Sequence, residues 1–423
     1  MSSLFILLYR IALLAYAAAI GLAAIVNEKA RQWKRGRKGI WSKLAERFNQ
    51  QKSDVIWMHC ASLGEFEQGR PILEKIRKEF PHYRILLTFF SPSGYEVQTQ
   101  TTLADDVFYL PLDSPAHAKK WVEIVRPKLV FFVKYEFWYF YLKTLQDQQI
   151  PVFLIAGVFR ANQLFFKWYG KWYLEVIQNF DYLFLQDENS FRVIDNQGVV
   201  DKVIIGDPRI DRVETIAQTA TPMPIIEAFK GTKKLLILGS SHAKDWAVFR
   251  QFLTHNVAKK YLADWQFLVA PHTLGAIEIR QIETTSPLST IRYSQIKNLG
   301  KVANQRLLIL DTMGQLSRVY QYGNAAFIGG GFGTSIHNIL EPAAFGLLIV
   351  FGPRYQKFQE AVDLVALGSA FAIKNAVEWS AVFEQWQRWE LTQELGQRNS
   401  NYIQQNIGAT EEIISYLKNK NFI

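Results

Sequence analysis

Residues 129–133 of this chain read Leu-Val-Phe-Phe-Val, an unbroken apolar run that a β-strand accepts only when both of its faces are covered. Runs of the same kind stand at 55–58, 85–88, 107–110, 152–156, 182–185 and 203–205, each followed by a loop containing Gly, Pro or Ser and then by a helical pattern. Intervals of about 20 to 30 residues suit strand-helix-strand units, so the first half predicts an α/β domain built on a doubly wound parallel sheet. The rhythm pauses at 218–224, where Pro222 and Pro224 interrupt any periodicity. It restarts with runs at 235–238, 266–270, 307–310, 325–328, 347–351 and 370–373. The expectation is two Rossmann-like domains in tandem, 39–217 and 218–423, with a cleft between them and ligands beyond the C-terminal ends of the strands.

Ahead of these domains, residues 4–26 carry a single charge, Arg10, and are long enough as a helix to cross a hydrocarbon layer of roughly 30 Å. Lys29, Arg31, Lys34, Arg35, Arg37 and Lys38 follow, a cluster that marks the cytoplasmic side of an apolar segment and attracts anionic headgroups. A cleaved secretory signal carries its positive charges before the apolar run instead. Residues 1–38 therefore predict a membrane anchor with a basic linker, either spanning or, because Arg10 interrupts the run, lying in the interface. The other domains are then expected on the cytoplasmic side. The balance of 48 Lys+Arg against 38 Asp+Glu leaves a formal charge of +10 and favours an anionic partner. One cysteine, Cys60, excludes an intrachain disulfide and any zinc site of paired thiolates. No His, Cys, Asp or Glu cluster has metal-ligand spacing, the seven histidines are scattered, and no GxSxG elbow is present.

Polar residues gather at the predicted strand ends. The run at 55–58 ends in His59-Cys60-Ala61-Ser62-Leu63-Gly64-Glu65, which presents a carboxylate at a strand-to-helix turn; Ser62 and Glu65 also have the spacing of a helix capping box. Glu136 follows the run at 129–133, either facing the same region or paired on the surface with Lys134. The run at 325–328 enters Gly329-Gly330-Gly331-Phe332-Gly333 and then His337, Asn338 and Glu341. Such a loop lets a backbone approach a phosphate and an acidic side chain one helical turn on accept from ribose hydroxyls, or it is simply a tightly packed turn. Ser240, Ser241 and His242, Pro271 and His272, and Met313 and Gly314 close three further strands and suit sugar or phosphate contacts.

In this order and spacing, the segments 59–65, 136–138, 239–242, 271–272, 329–331, 337–343 and 351–353 resemble the 3-deoxy-D-manno-octulosonic acid (Kdo) transferases of lipopolysaccharide synthesis, over residues 55–362. The resemblance implies a GT-B glycosyltransferase that moves Kdo from CMP-Kdo to the lipid A precursor (lipid IVA), with inversion, at the cytoplasmic face of the inner membrane. It implies Glu65 as general base, Glu136 as a second acidic residue of the site, and Ser240, Ser241, His242, Pro271, His272, Met313, Gly314, Gly330, Gly331, His337, Asn338 and Glu341 as the CMP site. Neither a metal nor another cofactor is expected, and no nucleic acid. The chain departs from the family at Tyr139, at Gln315 and at 156–160, the last affecting acceptor contacts. Aromatic and cationic residues of 159–173, among them Arg160, Phe165, Phe166, Lys167 and Trp168, suit docking to acceptor or membrane, or form core. Other readings are a different GT-B nucleotide-sugar enzyme, such as a UDP-hexose transferase or epimerase, and a non-enzymatic membrane-tethered binding protein.

Overall fold

The computed structural model describes residues 3–163, 166, 167, 170, 174–199, 201–302 and 304–423. The chain forms two compact units, Met1–Asp211 with Gly408–Ile423, and Arg212–Ile407.

The first unit holds β1 (Val55–Cys60), β2 (Arg84–Phe89), β3 (Asp106–Tyr109), β4 (Pro127–Val133), β5 (Val152–Gly157), β6 (Tyr182–Leu185) and β7 (Lys202–Ile204). They make one parallel sheet in the order β3-β2-β1-β4-β5-β6-β7. The unbroken run of β4 now has its cause. Val130 and Phe132 enter one core cluster with Trp57, Trp121 and Tyr141, while Leu129, Phe131 and Val133 enter a second cluster on the other face with Phe66, Ile72 and Leu73. At about 1.5–3 kcal/mol for each large apolar side chain buried, these five residues commit β4 to the centre of the sheet.

The second unit holds β8 (Lys234–Ser241), β9 (Trp265–Pro271), β10 (Thr290–Arg292), β11 (Leu307–Ile309), β12 (Ala325–Ile328), β13 (Leu348–Phe351) and β14 (Ala370–Ala372). Its order is β10-β11-β9-β8-β12-β13-β14, again all parallel. Every predicted strand forms. The unpredicted one, β10, is a three-residue edge strand whose residues are only half-buried, so it carries no apolar run.

Two expectations about boundaries change. Residues 408–423 fold with the first unit, because the helix Ala409–Asn419 inserts Ile413, Ile414 and Leu417 among the side chains on the second face of its sheet. The division between units falls after Asp211, within the helix Pro208–Thr219, rather than at 218–224. The basic segment is also not a linker. Asn27 caps a helix at Glu28–Gly36 by accepting from the Ala30 N–H at 3.2 Å, and a further helix spans Ile40–Phe48.

Arg37 fastens this region to the sheet. Its guanidinium lies 3.9 Å from the Trp33 ring centre, 4.7 Å from Tyr109 and 4.9 Å from Phe90, and donates to the carbonyls of Leu110, Trp33 and Phe90 at 3.0, 3.1 and 2.9 Å. Burial lowers its pKa to about 9, so it stays a cation at neutral pH. The preceding apolar helix, Ser3–Ala23, is tied down too. The Tyr9 hydroxyl donates to Asp113 at 2.8 Å, and the Tyr16 ring packs against Phe90 and Trp33. Its opposite face exposes Leu4, Leu7, Leu8, Ile11 and Leu14. Between the end of this helix and the basic one lies a cavity of ≈ 630 Å³ lined by Gly21, Ile25, Arg31, Trp33, Lys34 and Lys38 among others.

Candidate active site

In each sheet the chain reverses its direction of winding between two adjacent strands, β1 and β4 in the first unit and β8 and β12 in the second. Loops leaving such a pair diverge and leave a crevice at the strand C-termini. Most of the polar motifs stand at or beside these two places.

In the first unit, His59 ends β1 and Glu136 follows β4. The His59 ring is fully buried between them, with Nε2 3.1 Å from Glu136 Oε2 and Nδ1 2.9 Å from Thr88 Oγ1. The indoles complete the chain of bonds: Trp138 Nε1 donates to Glu136 Oε2 at 2.6 Å, and Trp57 Nε1 to Thr88 Oγ1 at 2.7 Å. With the Glu136 carboxylate as acceptor, His59 carries a proton on Nε2. Glu136 is thus a buried framework carboxylate, and the surface pairing with Lys134 does not form.

Glu65 is in a different position. It sits in the first turn of the helix Leu63–Glu79, half-buried, where the helix N-terminus favours a carboxylate. No capping box forms, because the Ser62 hydroxyl donates to the Glu65 carboxylate instead of accepting from the backbone. The same helix carries Gln68, which together with Gln186 donates to Asp207. Burial alone would raise Asp207, yet the Arg209 guanidinium, 2.5 Å away, holds it below the usual carboxylate range. Nothing in the local sequence around Asp207 announced this buried pair.

In the second unit, His242 follows β8, His272 follows β9 and His337 follows β12, and the strand order β9-β8-β12 makes these neighbours. The ring centres are 4.5 Å (His242–His272), 4.5 Å (His272–His337) and 5.1 Å (His242–His337) apart, and His242 Nε2 is 2.8 Å from His337 Nε2. Burial and the two neighbouring imidazoles lower His337 to about 4; burial and His242 lower His272. Scattered in sequence, these three histidines form one cluster in space. A residue the sequence did not single out positions it. Asp245, fully buried, accepts from the His242 N–H at 2.9 Å and the Gly330 N–H at 2.8 Å, completing a capping box and joining the two loops.

The glycine loop has a packing reason. A Cβ on Gly329 would collide with the backbone of Ser240 and Ser241, and one on Gly331 with Gly352; Gly330 adopts φ +92°. The following residues are not helical as far as Ile339, and the helix Leu340–Ala344 is a single short turn. Glu341 therefore does not stack one turn above His337; it accepts from Asn338 Nδ2 at 3.2 Å. Ser240 (φ +51°) and Ser241 flank the loop on β8, and Pro271 pairs in register with Ser241. Met313 and Gly314 leave β11, which stands two strands away from β8, and Met313 is 80% exposed.

Among the proposed docking residues, Arg160 and Lys167 are exposed, whereas Phe166 packs against the core with its ring 6.2 Å from Phe159. Phe165 and Trp168 lie outside the described residues.

Residues 37–212 match the family model described as 3-deoxy-D-manno-octulosonic-acid transferase (kdotransferase). The chain is 25% identical to the 3-deoxy-D-manno-octulosonic acid transferase of Aquifex aeolicus, covering 77% of this chain and 83% of that one. It is 26% identical to the enzyme of the same name from Chlamydophila psittaci, over 84% and 83% of the two chains. In fold it resembles the UDP-GlcNAc 2-epimerase of Neisseria meningitidis, with a TM-score of 0.59, 14% identity and coverage of 86% and 100%. The MurG structure from Acinetobacter baumannii gives a TM-score of 0.53 at 12% identity, covering 87% and 100%.

Proposed function

From the premise that this chain is a glycosyltransferase of the Kdo transferase family, we propose that it transfers Kdo, with inversion, from CMP-Kdo to a hydroxyl of the lipid A precursor at the cytoplasmic face of the inner membrane. The observation that carries this reading is the contrast between two carboxylates at one switch point. Glu136 is locked by His59 and Trp138, while Glu65 is half-buried, held by one hydroxyl, at a helix start. Glu65 takes the proton of the acceptor hydroxyl as its oxygen bonds to the anomeric carbon of Kdo, and the bond from that carbon to the CMP phosphate breaks with its electron pair leaving on CMP. Glu136 acts as a positioning residue through the strand ends it ties together. The donor is held by the loops after β8, β9 and β12, with Ser240, Ser241, Asn338 and Glu341 as polar contacts and the N–H-rich glycine turn toward phosphate. The same sheet ends would serve a UDP-sugar epimerase, and the fold likeness to such enzymes keeps that as the alternative.

The acceptor's acyl chains stay in the bilayer, so the protein must meet it there. A 21-residue helix is about 31 Å long at 1.5 Å per residue, and a full crossing requires nearly all of it. Tyr9 and Tyr16 are bound to the first unit along that length. We read the helix as lying in the interface, its Leu4, Leu7, Leu8, Ile11 and Leu14 face in the acyl region. The cations beside the ≈ 630 Å³ cavity then meet lipid phosphates.

The test is product analysis by mass spectrometry, with full-length protein in detergent, CMP-Kdo and a tetra-acylated lipid A precursor. A mass increase of one or more Kdo units supports the reading; no product with CMP-Kdo but turnover of a UDP-sugar overturns it.

A further inference from the structure

We propose that His242, His272 and His337 form a binding site for one divalent transition-metal ion of the imidazole-preferring kind, zinc or its near neighbours, with an open coordination position for an oxygen anion. The loops leaving three adjacent strands each supply one imidazole, and the ligating nitrogens all lie within 4.8 Å of one another. Zinc binds imidazole nitrogen at about 2.0–2.1 Å, which at a tetrahedral angle sets two such nitrogens about 3.3 Å apart. His242 and His337 stand at 2.8 Å and share a hydrogen bond, so an ion in place of that proton needs these nitrogens to part by only about 0.5 Å. The ring centres are 4.5 to 5.1 Å apart and the ring planes lie within 32° of one another, so the rings must also turn for their lone pairs to converge on one ion.

The surroundings favour an ion over a chance gathering. Asp245 fixes the backbone of both the His242 and the Gly330 loops from a fully buried position, so two of the three ligands are carried on a braced frame. His242 and His272 are exposed on their other side and His337 is half-buried. Three protein ligands facing solvent leave a position open, as in catalytic rather than structural zinc sites. Its occupant, an oxygen of a sugar-nucleotide phosphate or of an acidic sugar's carboxylate, is the part of the inference that rests on the proposed donor; binding of the ion does not.

The test uses full-length protein in detergent, stripped of metal with a chelator and titrated with Co²⁺ while the visible ligand-field spectrum is recorded, then with Zn²⁺ by calorimetry. One ion should bind per chain at micromolar concentration, and His242→Gln, His272→Gln and His337→Gln should each weaken it at least tenfold without lowering the melting temperature of the stripped protein. Absence of saturable binding up to 100-fold excess of ion over protein, or binding untouched by all three substitutions, overturns the site. His242 and His272 are exposed, so their variants fold and decide the matter even where His337→Gln does not. Added CMP separates the two readings. A changed cobalt spectrum supports both. An ion that binds with a spectrum indifferent to CMP and CMP-Kdo upholds the metal site and removes its donor role, and CMP stabilisation of a protein that binds no ion upholds the donor reading and removes the metal site.

Discussion

Converting Glu65 and Glu136 to their amides tests the proposed division between a group that moves a proton and one that holds a framework. Glu136 is 8% exposed and accepts from His59 Nε2 at 3.1 Å and Trp138 Nε1 at 2.6 Å. Both donors meet the same oxygen, Oε2, so in Glu136→Gln the amide oxygen can keep its place but is uncharged, and both bonds weaken. The step from a charged to a neutral acceptor, about 1.5–3 against 0.5–1.5 kcal/mol per bond, removes about 2–3 kcal/mol over the two bonds, and at roughly 2–4 °C per kcal/mol for a unit of this size the melting temperature falls by about 4–12 °C. Glu65→Gln keeps an oxygen for the Ser62 hydroxyl, so its stability changes by no more than about 1 kcal/mol. Its turnover, however, falls by about 10²- to 10⁴-fold, or roughly 2.7–5.5 kcal/mol of barrier, because an amide cannot take the acceptor proton. The assay pairs thermal melts with turnover at saturating CMP-Kdo. Adding His59→Asn to Glu136→Gln completes a cycle whose coupling should reach about 0.5–3 kcal/mol. Glu65→Gln with turnover within threefold of the parent, or Glu136→Gln losing a hundredfold in turnover at unchanged stability, would refute the division of roles.

Three further outcomes are expected. Burial raises Asp113 to about 7 against the bonds it accepts from Phe140 N–H, Tyr9 and Tyr141 N–H. An acid with a folded pKa above its unfolded value near 3.9 binds its proton more tightly when native, so stability falls as pH rises from about 4 through 7 by a few kcal/mol; melts from pH 5 to 8 should show this decline, and Asp113→Asn should lack it. CMP should raise the melting temperature of the full-length protein, and Glu341→Ala, which also frees Asn338, should shrink that rise; an unchanged rise would remove Glu341 from the donor site. Replacing Leu7, Leu8 and Ile11 by Gln should reduce sedimentation with anionic vesicles while leaving the melting temperature within about 2 °C, since these side chains are half or more exposed; a large drop in stability would show them to be packed.

Strands were readable from the chain because burial on both faces removes alternation, as at 129–133, and β10 was not because a half-buried edge needs no apolar run. What local sequence could not supply were partners. Glu136 has Lys134 two residues away yet bonds to His59, 77 positions back, because β1 and β4 are adjacent. The three histidines are separated by 30 and 65 residues and meet only through the order β9-β8-β12. The helix at 409–419 carries Ile413, Ile414 and Leu417 on its apolar side, and nothing in its own sequence says which core they join. At Ser62 and Glu65 the spacing was right for a cap, and the side chains chose each other.

The fastening of Arg37 turns the amino-terminal region from a leash into a mount. A flexible tether of some ten residues would let a catalytic body roam over roughly 15–20 Å, so that its reactive carboxylate would sample many heights above the bilayer. Here three carbonyls and three rings grip one guanidinium, and the Tyr9 hydroxyl adds a second point of attachment 28 residues earlier. Two fixed points on one body remove that freedom. On the interfacial placement proposed above, the first unit would ride at a set elevation and tilt on the lipid surface, and the acceptor, diffusing in two dimensions, would have to come to it.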